Sequence, residues 1–366
     1  MNDRVDAEPG PAPRDQPPMA DTGEMAESVD DGELRDSPWP SVSVVVPVLN
    51  EGRHLADAVA RILDQDYPGE LDVTLALGPS TDDTDAVAAA LTGAHPRVRT
   101  VPNPTGKTPV GLNTAIAACS GEIVVRVDGH AEIPVHYVRT AVAALRATGA
   151  DNVGGIMDAQ GVTPFERAVA VAMRAPIGVG NAAFHVGGVA GAADTVYLGV
   201  FRRSALARVG GFDEHFQRAQ DWEMNHRIKA TGGLVWFTPD LAVTYRPRGS
   251  VAALAKQYFH YGRWRHVIAR HHEGTVNLRY LAPPTMVAGT SAALVAGLAW
   301  PWAWLVPVAY AAAITVGGVV VSKGEAARTR ALTPLALATM HWSWGAGYLT
   351  SPRRLAAATR RPVPTN

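Results

Sequence analysis

Two short runs, residues 42–46 (Val-Ser-Val-Val-Val) and 123–127 (Ile-Val-Val-Arg-Val), are nearly continuous in β-branched residues. Strands of this kind are buried on both faces, and that happens in largely parallel sheets covered by helices. The chain around them keeps to that pattern. A helix is expected over about 54–65, with Leu55, Val59, Ile62 and Leu63 at helical spacing, then a strand over 71–77. A capped helix over 83–91, a strand over 98–101 and a helix over 109–119 follow. After the strand at 123–127 come a helix over 135–148, a strand over 152–157, glycine-rich loops within 161–195, and a strand over 196–202. A helix over 204–209, another from about 220, and two short strands at 234–237 and 243–245 complete the series. Such alternation implies βαβ units, whose ligands bind at the carboxyl ends of the strands. Asp128 and His130 lie at one such end, two residues apart, so on an extended chain they point the same way. Together they suit a divalent cation that holds a diphosphate, or, equally, a capping aspartate and a backbone-satisfied histidine.

The chain has 366 residues and one cysteine, Cys119, which excludes an internal disulfide and a multi-cysteine zinc site. Residues 1–38 hold eleven acidic and three basic residues and no apolar periodicity, so they are expected to be disordered. Taking these from the totals of 34 and 33 leaves 23 acidic and 30 basic residues in the body. That balance suits an anionic substrate or a membrane surface; charge alone does not exclude nucleic acid, which is nevertheless not an expected partner. The helix expected over 250–270 carries Lys256, Tyr258, Phe259, Tyr261, Arg263, Trp264 and Arg265, a composition suited to a membrane surface. Residues 285–322 contain no charge, enough for about two spans with a turn near Pro301 and Trp300, Trp302 and Trp304 at the interface. A third apolar stretch, 331–350, has an open topology. His266, His271, His272 and Glu273 read as solvent or headgroup contacts rather than a metal site. The expected organisation is a tail (1–38), a catalytic domain (39–248), an interfacial helix region (249–282), two to three membrane helices (283–350) and a basic end (351–366). The catalytic domain is expected in the cytoplasm at the inner or plasma membrane, since residues 1–38 lack a signal peptide's basic start and apolar core.

The ordered motifs resemble family 2 glycosyltransferases of the GT-A fold, in particular the membrane-bound type associated with succinoglycan and other exopolysaccharide biosynthesis. They are Val42-Ser-Val-Val-Val-Pro47 with Asn50-Glu51, Pro79-Ser-Thr-Asp82, Gly106-Lys107 with Leu112-Asn113, and Val127-Asp128-Gly-His130-Ala131. Asp194-Thr-Val with Phe201-Arg-Arg203, Gly210-Gly-Phe-Asp213, Gln220-Asp221 with Glu223, and Gln257-Tyr-Phe with Tyr261-Gly-Arg-Trp264 complete the set over residues 40–320.

The resemblance implies a Rossmann-like α/β fold with helices on both faces of a mainly parallel sheet, followed by transmembrane helices. It implies inverting transfer from a nucleotide-diphosphate sugar to a lipid-linked or growing glycan. Asp221 is the implied general base, and Asp128 and His130 the implied ligands of Mn2+ or Mg2+. Pro47, Asn50, Glu51, Lys107 and Asp128 would meet the donor. Asp194, Gln220, Glu223, Gln257, Arg263 and Trp264 would meet the acceptor or support the site. Two positions depart from the family pattern: Leu77 stands where a base-reading aspartate is usual, and Gln220 replaces the glutamate before the base. Two rival readings follow, an inactive membrane scaffold of the same fold and a sugar-phosphate nucleotidyltransferase.

Overall fold

The computed structural model describes residues 38–357; the acidic tail expected to be disordered, apart from Pro38, and the last residues of the basic end lie outside the described residues. Elements run β1 (Val42–Val48), α1 (Leu55–Leu63), β2 (Leu71–Leu77), α2 (Thr84–Ala94), β3 (Val98–Pro102), α3 (Thr108–Ala118), β4 (Ile123–Arg126), α4 (Tyr137–Thr148) and β5 (Asn152–Ala159). They continue as α5 (Pro164–Met173), β6 (Gly191–Ala192), β7 (Tyr197–Arg202), α6 (Arg203–Val209), α7 (Gln220–Ala230) and β8 (Val235–Tyr245). The last long helices are α8 (Val251–His271), α9 (Leu278–Ala296), α10 (Leu305–Val321) and α11 (Ala327–Leu349).

The eight strands form one sheet in the order β3-β2-β1-β4-β7-β5-β8-β6. β1 pairs in parallel with both β2 and β4, so the strand order reverses at β1 and opens a crevice at its carboxyl end. β7 runs antiparallel to β4 and β5, a direction that the residues of a strand do not encode. The two short strands expected near 234–245 are one strand, β8, whose pairing with β5 shifts register between Gly154 and Ile156. Helices cover both faces. Leu55, Val59, Ile62, Val138, Ala141 and Leu145 close one side, while Leu112, Leu206, Met224 and Ile228 close the other. Each buried aliphatic side chain contributes about 1.5–3 kcal/mol of transfer free energy.

The C-terminal helices depart from the expected series of spans. Ala336, Leu337 and Met340 of α11 share a core with α5 residues Ala168, Val169 and Met173 and with Leu254 and Tyr258 of α8. The third apolar stretch is therefore a packing helix of the globular unit. Its apolar character is spent on protein, and so is much of the aromatic face of α8: Tyr258 and Trp264 are buried. His266 Nδ1 donates to the Tyr348 carbonyl (2.6 Å), and the His272 ring lies 4.4 Å from that of His226, so both are engaged with protein rather than left wholly to solvent or headgroups. Among the described residues one helix, Pro301–Val321, is long and apolar enough to cross a membrane. Multi-pass insertion has no support beyond it. α9 carries Arg279 and an internal Pro283-Pro284 pair, which lower its apolar content. Leu298, Trp300 and Trp302 remain exposed at the turn between α9 and α10.

Glycines let α8 and α11 touch at their backbones. A Cβ on Gly262 would stand 2.0 Å from the Trp344 carbonyl oxygen, and one on Gly347 would stand 2.1 Å from that of Phe259. Gly262→Leu is expected to force the helices apart and destabilise the protein by about 1–3 kcal/mol or more, read as a lower midpoint in denaturant unfolding. Gly289→Ala, where an added Cβ meets nothing within 4 Å, should not lower it. Equal midpoints for Gly262→Leu and the parent protein would show that the close crossing is unimportant.

Candidate functional site

The crevice at the carboxyl ends of β1 and β4 gathers Asp128, His130, Glu51 and Asp221, all expected, and one unexpected residue, Arg126. Arg126 closes β4 and is buried at 4% exposure. Its Nη2 donates to Asp128 Oδ1 at 2.9 Å, and its Nη1 donates to Asp221 Oδ1. One guanidinium thus binds the carboxylate just beyond β4 to the carboxylate in the first turn of α7, which lies ninety-five residues after Arg126 itself. Ala219, in the left-handed region at φ 61°, turns the chain into α7 so that Gln220 and Asp221 begin it. Gln220 is itself buried.

The two carboxyls respond differently. Burial raises the pKa of Asp128, but Arg126 and then His130 outweigh it and hold the group below the usual aspartate range. Burial pushes Asp221 up; Arg126 opposes this and the Asp128 charge adds to it, leaving Asp221 above its ordinary value. A buried arginine between two carboxylates is raised by both against the lowering effect of burial and stays charged.

His130 faces the β1 side. Its Nδ1 lies 2.7 Å from Glu51 Oε1, and this hydrogen bond raises the imidazole pKa against burial. Gly129 makes the approach possible, since a Cβ there would stand 3.0 Å from Glu51 Cγ. Asp128 Oδ1 is thus engaged by Arg126 and His130 Nδ1 by Glu51. No three His, Cys, Asp or Glu side chains converge on a metal position among the described residues. The pair fits a cation that completes its shell with phosphate oxygens, as Mg2+ and similar ions usually do.

Other expected residues serve different ends. Asn50, in the left-handed region at φ 56°, accepts from Thr81 N at 2.8 Å, and its own N–H donates to Ser80 Oγ at 3.0 Å. It stitches the β1 loop to the β2 loop, as does Asp82, which accepts from Gly52 N at 3.1 Å. Pro47 lies within β1 opposite Ala76, and Lys107 is exposed before α3. Glu223 is buried and accepts two bonds from Arg227, at 2.6 and 2.7 Å, which makes it a brace of α7. Asp194 pairs with Lys229 at 2.5 Å. Gln257 donates to Tyr245 and Tyr261 hydroxyls, both at 2.8 Å, and Arg263 lies 4.6 Å from the Phe259 ring centroid. Trp264 is core, 5.9 Å from Phe216.

Sequence reasoning missed Arg126, Arg218 and Arg248. The last two are exposed, yet Arg218 is close enough to lower Asp128 and Arg248 close enough to lower His130. Asp85 was also missed; it lines a cavity of about 320 Å3 with Leu77 and Gly78, beside the position where the expected aspartate is absent.

A family model described as glycosyl transferase family 2 matches residues 43–210. The succinoglycan biosynthesis protein ExoA of Rhizobium meliloti (strain 1021) is 31% identical over 308 residues, covering 83% of this chain and 93% of that protein. A Methanococcus voltae dolichyl N-acetyl-glucosaminyl phosphate diacetamido-dideoxy-glucuronosyltransferase is 23% identical, covering 66% and 77%. Among solved structures, the mannosyltransferase PcManGT of Pyrobaculum calidifontis, in complex with GDP-Man and Mn2+, superposes with a TM-score of 0.53 at 23% identity, over 84% of this chain and 90% of that one. That likeness shows the fold, with its crevice at the carboxyl ends of the strands.

Carboxyl carbon NMR of aspartate-labelled protein checks the electrostatics. Asp221 is expected to titrate above, and Asp128 below, the ordinary aspartate value of about 3.9. Arg126→Met should raise both. Two aspartates titrating together at the ordinary value, unmoved by Arg126→Met, would dissolve the pairing.

Proposed function

Because this chain belongs to glycosyl transferase family 2, and is a glycosyltransferase, we propose that it moves a sugar, with inversion, from a nucleotide-diphosphate sugar to a hydroxyl of a lipid-linked or growing glycan. The observation that carries this reading is the single buried guanidinium that joins Asp221 to Asp128 at the switch point of the sheet. Asp221 takes the proton from the attacking hydroxyl. A carboxylate with a raised pKa is a stronger base than an ordinary aspartate, and Arg126 opposes the rise that burial causes. Attack from the side of Asp221 on a donor held at Asp128 inverts the anomeric carbon.

At the donor end, Asp128 and His130 would hold a divalent cation, Mn2+ or Mg2+. Such an ion neutralises the charge that develops on the departing diphosphate. Arg218 and Arg248 add fixed positive charge around the same two residues. Glu51 orients His130 with one oxygen and leaves the other for a ribose hydroxyl. Pro47 and Lys107 would meet the donor at this end. With Leu77 in the usual aspartate place, Asp85 is the carboxylate positioned to meet the nucleotide base.

The acceptor reaches the site from the membrane side. Exposed leucines and valines on α9 and α10, with exposed tryptophans between them, suit association of the catalytic unit with the cytoplasmic face of the inner or plasma membrane.

Asp221→Asn is expected to reduce kcat by roughly 10²–10⁴-fold while nucleoside diphosphate binding persists. Retention of full turnover would remove Asp221 from the role of base. Chelation with EDTA should abolish turnover and Mn2+ or Mg2+ should restore it, and Asp128→Ala should lose that restoration. Turnover indifferent to EDTA would exclude the cation.

A further inference from the structure

Three non-glycine residues among those described sit in the left-handed region of backbone space. Asn50 and Ala219 border the site already described; the third, Leu198 at φ 46°, lies inside β7 and is fully buried. A left-handed leucine is an outlier, and such strain gathers at functional sites. Its surroundings are built for it. Gly154 and Gly155 of β5 run alongside, where the β5–β7 pairing shifts register and Gly155 pairs with Tyr197. A Cβ on Gly154 would stand 2.7 Å from the Tyr197 carbonyl oxygen. The buried Tyr137 hydroxyl donates to the Leu198 carbonyl at 3.4 Å.

The consequence is a reversal of faces. Successive strand residues point to opposite sides of a sheet. Val200 and Leu198 obey this and pack in the core beneath α1 and α4, with Phe201 on the other side. Alternation would put Tyr197 with Phe201, but it packs against the same core as Leu198, and Val196 takes the opposite side. The β4–β7 ladder pairs Ile123 with Arg202 and Val125 with Val200; counted on in that register, Tyr197 falls opposite Asp128. Asp128 and Arg126 are accordingly among the charges that Tyr197 feels, beside the phenols of Tyr245 and Tyr261. Burial lifts the Tyr197 pKa well above its ordinary value, so its hydroxyl is a hydrogen-bond donor at neutral pH. That hydroxyl makes no hydrogen bond with another described residue. Gln257 Nε2 donates to the Tyr245 and Tyr261 hydroxyls, so both of these keep their own protons for a further partner.

We infer that Tyr197 reads the transferred sugar of the donor: its hydroxyl donates to a hydroxyl of that sugar, and the left-handed turn at Leu198 aims it there. The inference rests on the glycosyl-transfer reading. A donor whose diphosphate is held at Asp128 and whose anomeric carbon faces Asp221 lays its sugar over Arg126, which joins the two carboxylates. Tyr197 stands beside that path. A neutral phenol suits a sugar hydroxyl rather than the diphosphate, for which His130, Arg218 and Arg248 supply charge.

The test titrates the full chain, in detergent micelles with Mn2+, by calorimetry with UDP, GDP, UDP-glucose, UDP-galactose, UDP-N-acetylglucosamine and GDP-mannose. For the nucleotide sugar that the parent protein binds most tightly, Tyr197→Phe should weaken binding by roughly threefold or more, while the matching nucleoside diphosphate binds as before. Tyr197→Met, which also removes the ring, should weaken the nucleotide sugar at least as much and again leave the nucleoside diphosphate unchanged. Equal weakening of nucleotide sugar and nucleoside diphosphate in both variants makes Tyr197 a structural residue and overturns the inference. Unchanged affinity for the nucleotide sugar overturns it as well, and a loss of transfer alone would move Tyr197 to the acceptor. A parent protein that binds none of the six removes the donor reading and the inference with it. A parent protein that binds them, matched by both variants, removes the inference and leaves the donor reading standing.

Discussion

A buried guanidinium placed between two carboxylates organises this molecule. Arg126 projects from the end of β4 and holds Asp128 of its own strand and Asp221 of α7. Removing one partner from such a buried arrangement typically costs about 3–5 kcal/mol, because a charge is left uncompensated. The triad therefore ties the second half of the chain, which supplies α7, to the strands of the first half. It also sets the chemistry of the site: one carboxyl is held ionised at the donor end, and the other is left with a higher pKa suited to proton transfer.

Much of the fold was legible because hydrophobic periodicity is local. β2 occupies residues 71–77 as expected, and α3, α4 and α7 fall within about two residues of their expected starts. The direction of β7 and the unity of β8 were not legible, since both depend on pairing with β5 rather than on their own residues. The placement of α11 was hidden for a related reason. An apolar helix reads the same whether lipid or protein covers it, and here α5 and α8 cover it.

The site was legible in part. Asp128, His130, Glu51 and Asp221 stand in strand-end and helix-start positions that a pattern of residues can mark. Arg126 was overlooked because it sits inside an apolar run, where its neighbours suggest only burial. The signal was nevertheless available: a charged residue in a buried strand needs carboxylate partners. Trp264 and Glu223 were expected to meet the acceptor or to support the site; one packs against Phe216 and the other is bidentate with Arg227. Both still act on the site indirectly, by fixing α8 and α7 around Asp221.

The central claim is that Arg126 acts through Asp221 rather than as an independent structural prop. A double-mutant cycle on kcat/KM, with Arg126→Met, Asp221→Asn and the two together, measures this coupling directly. Strong non-additivity is expected, with Arg126→Met costing little once Asp221 has been neutralised. Losses that add to within about 0.5 kcal/mol would contradict it.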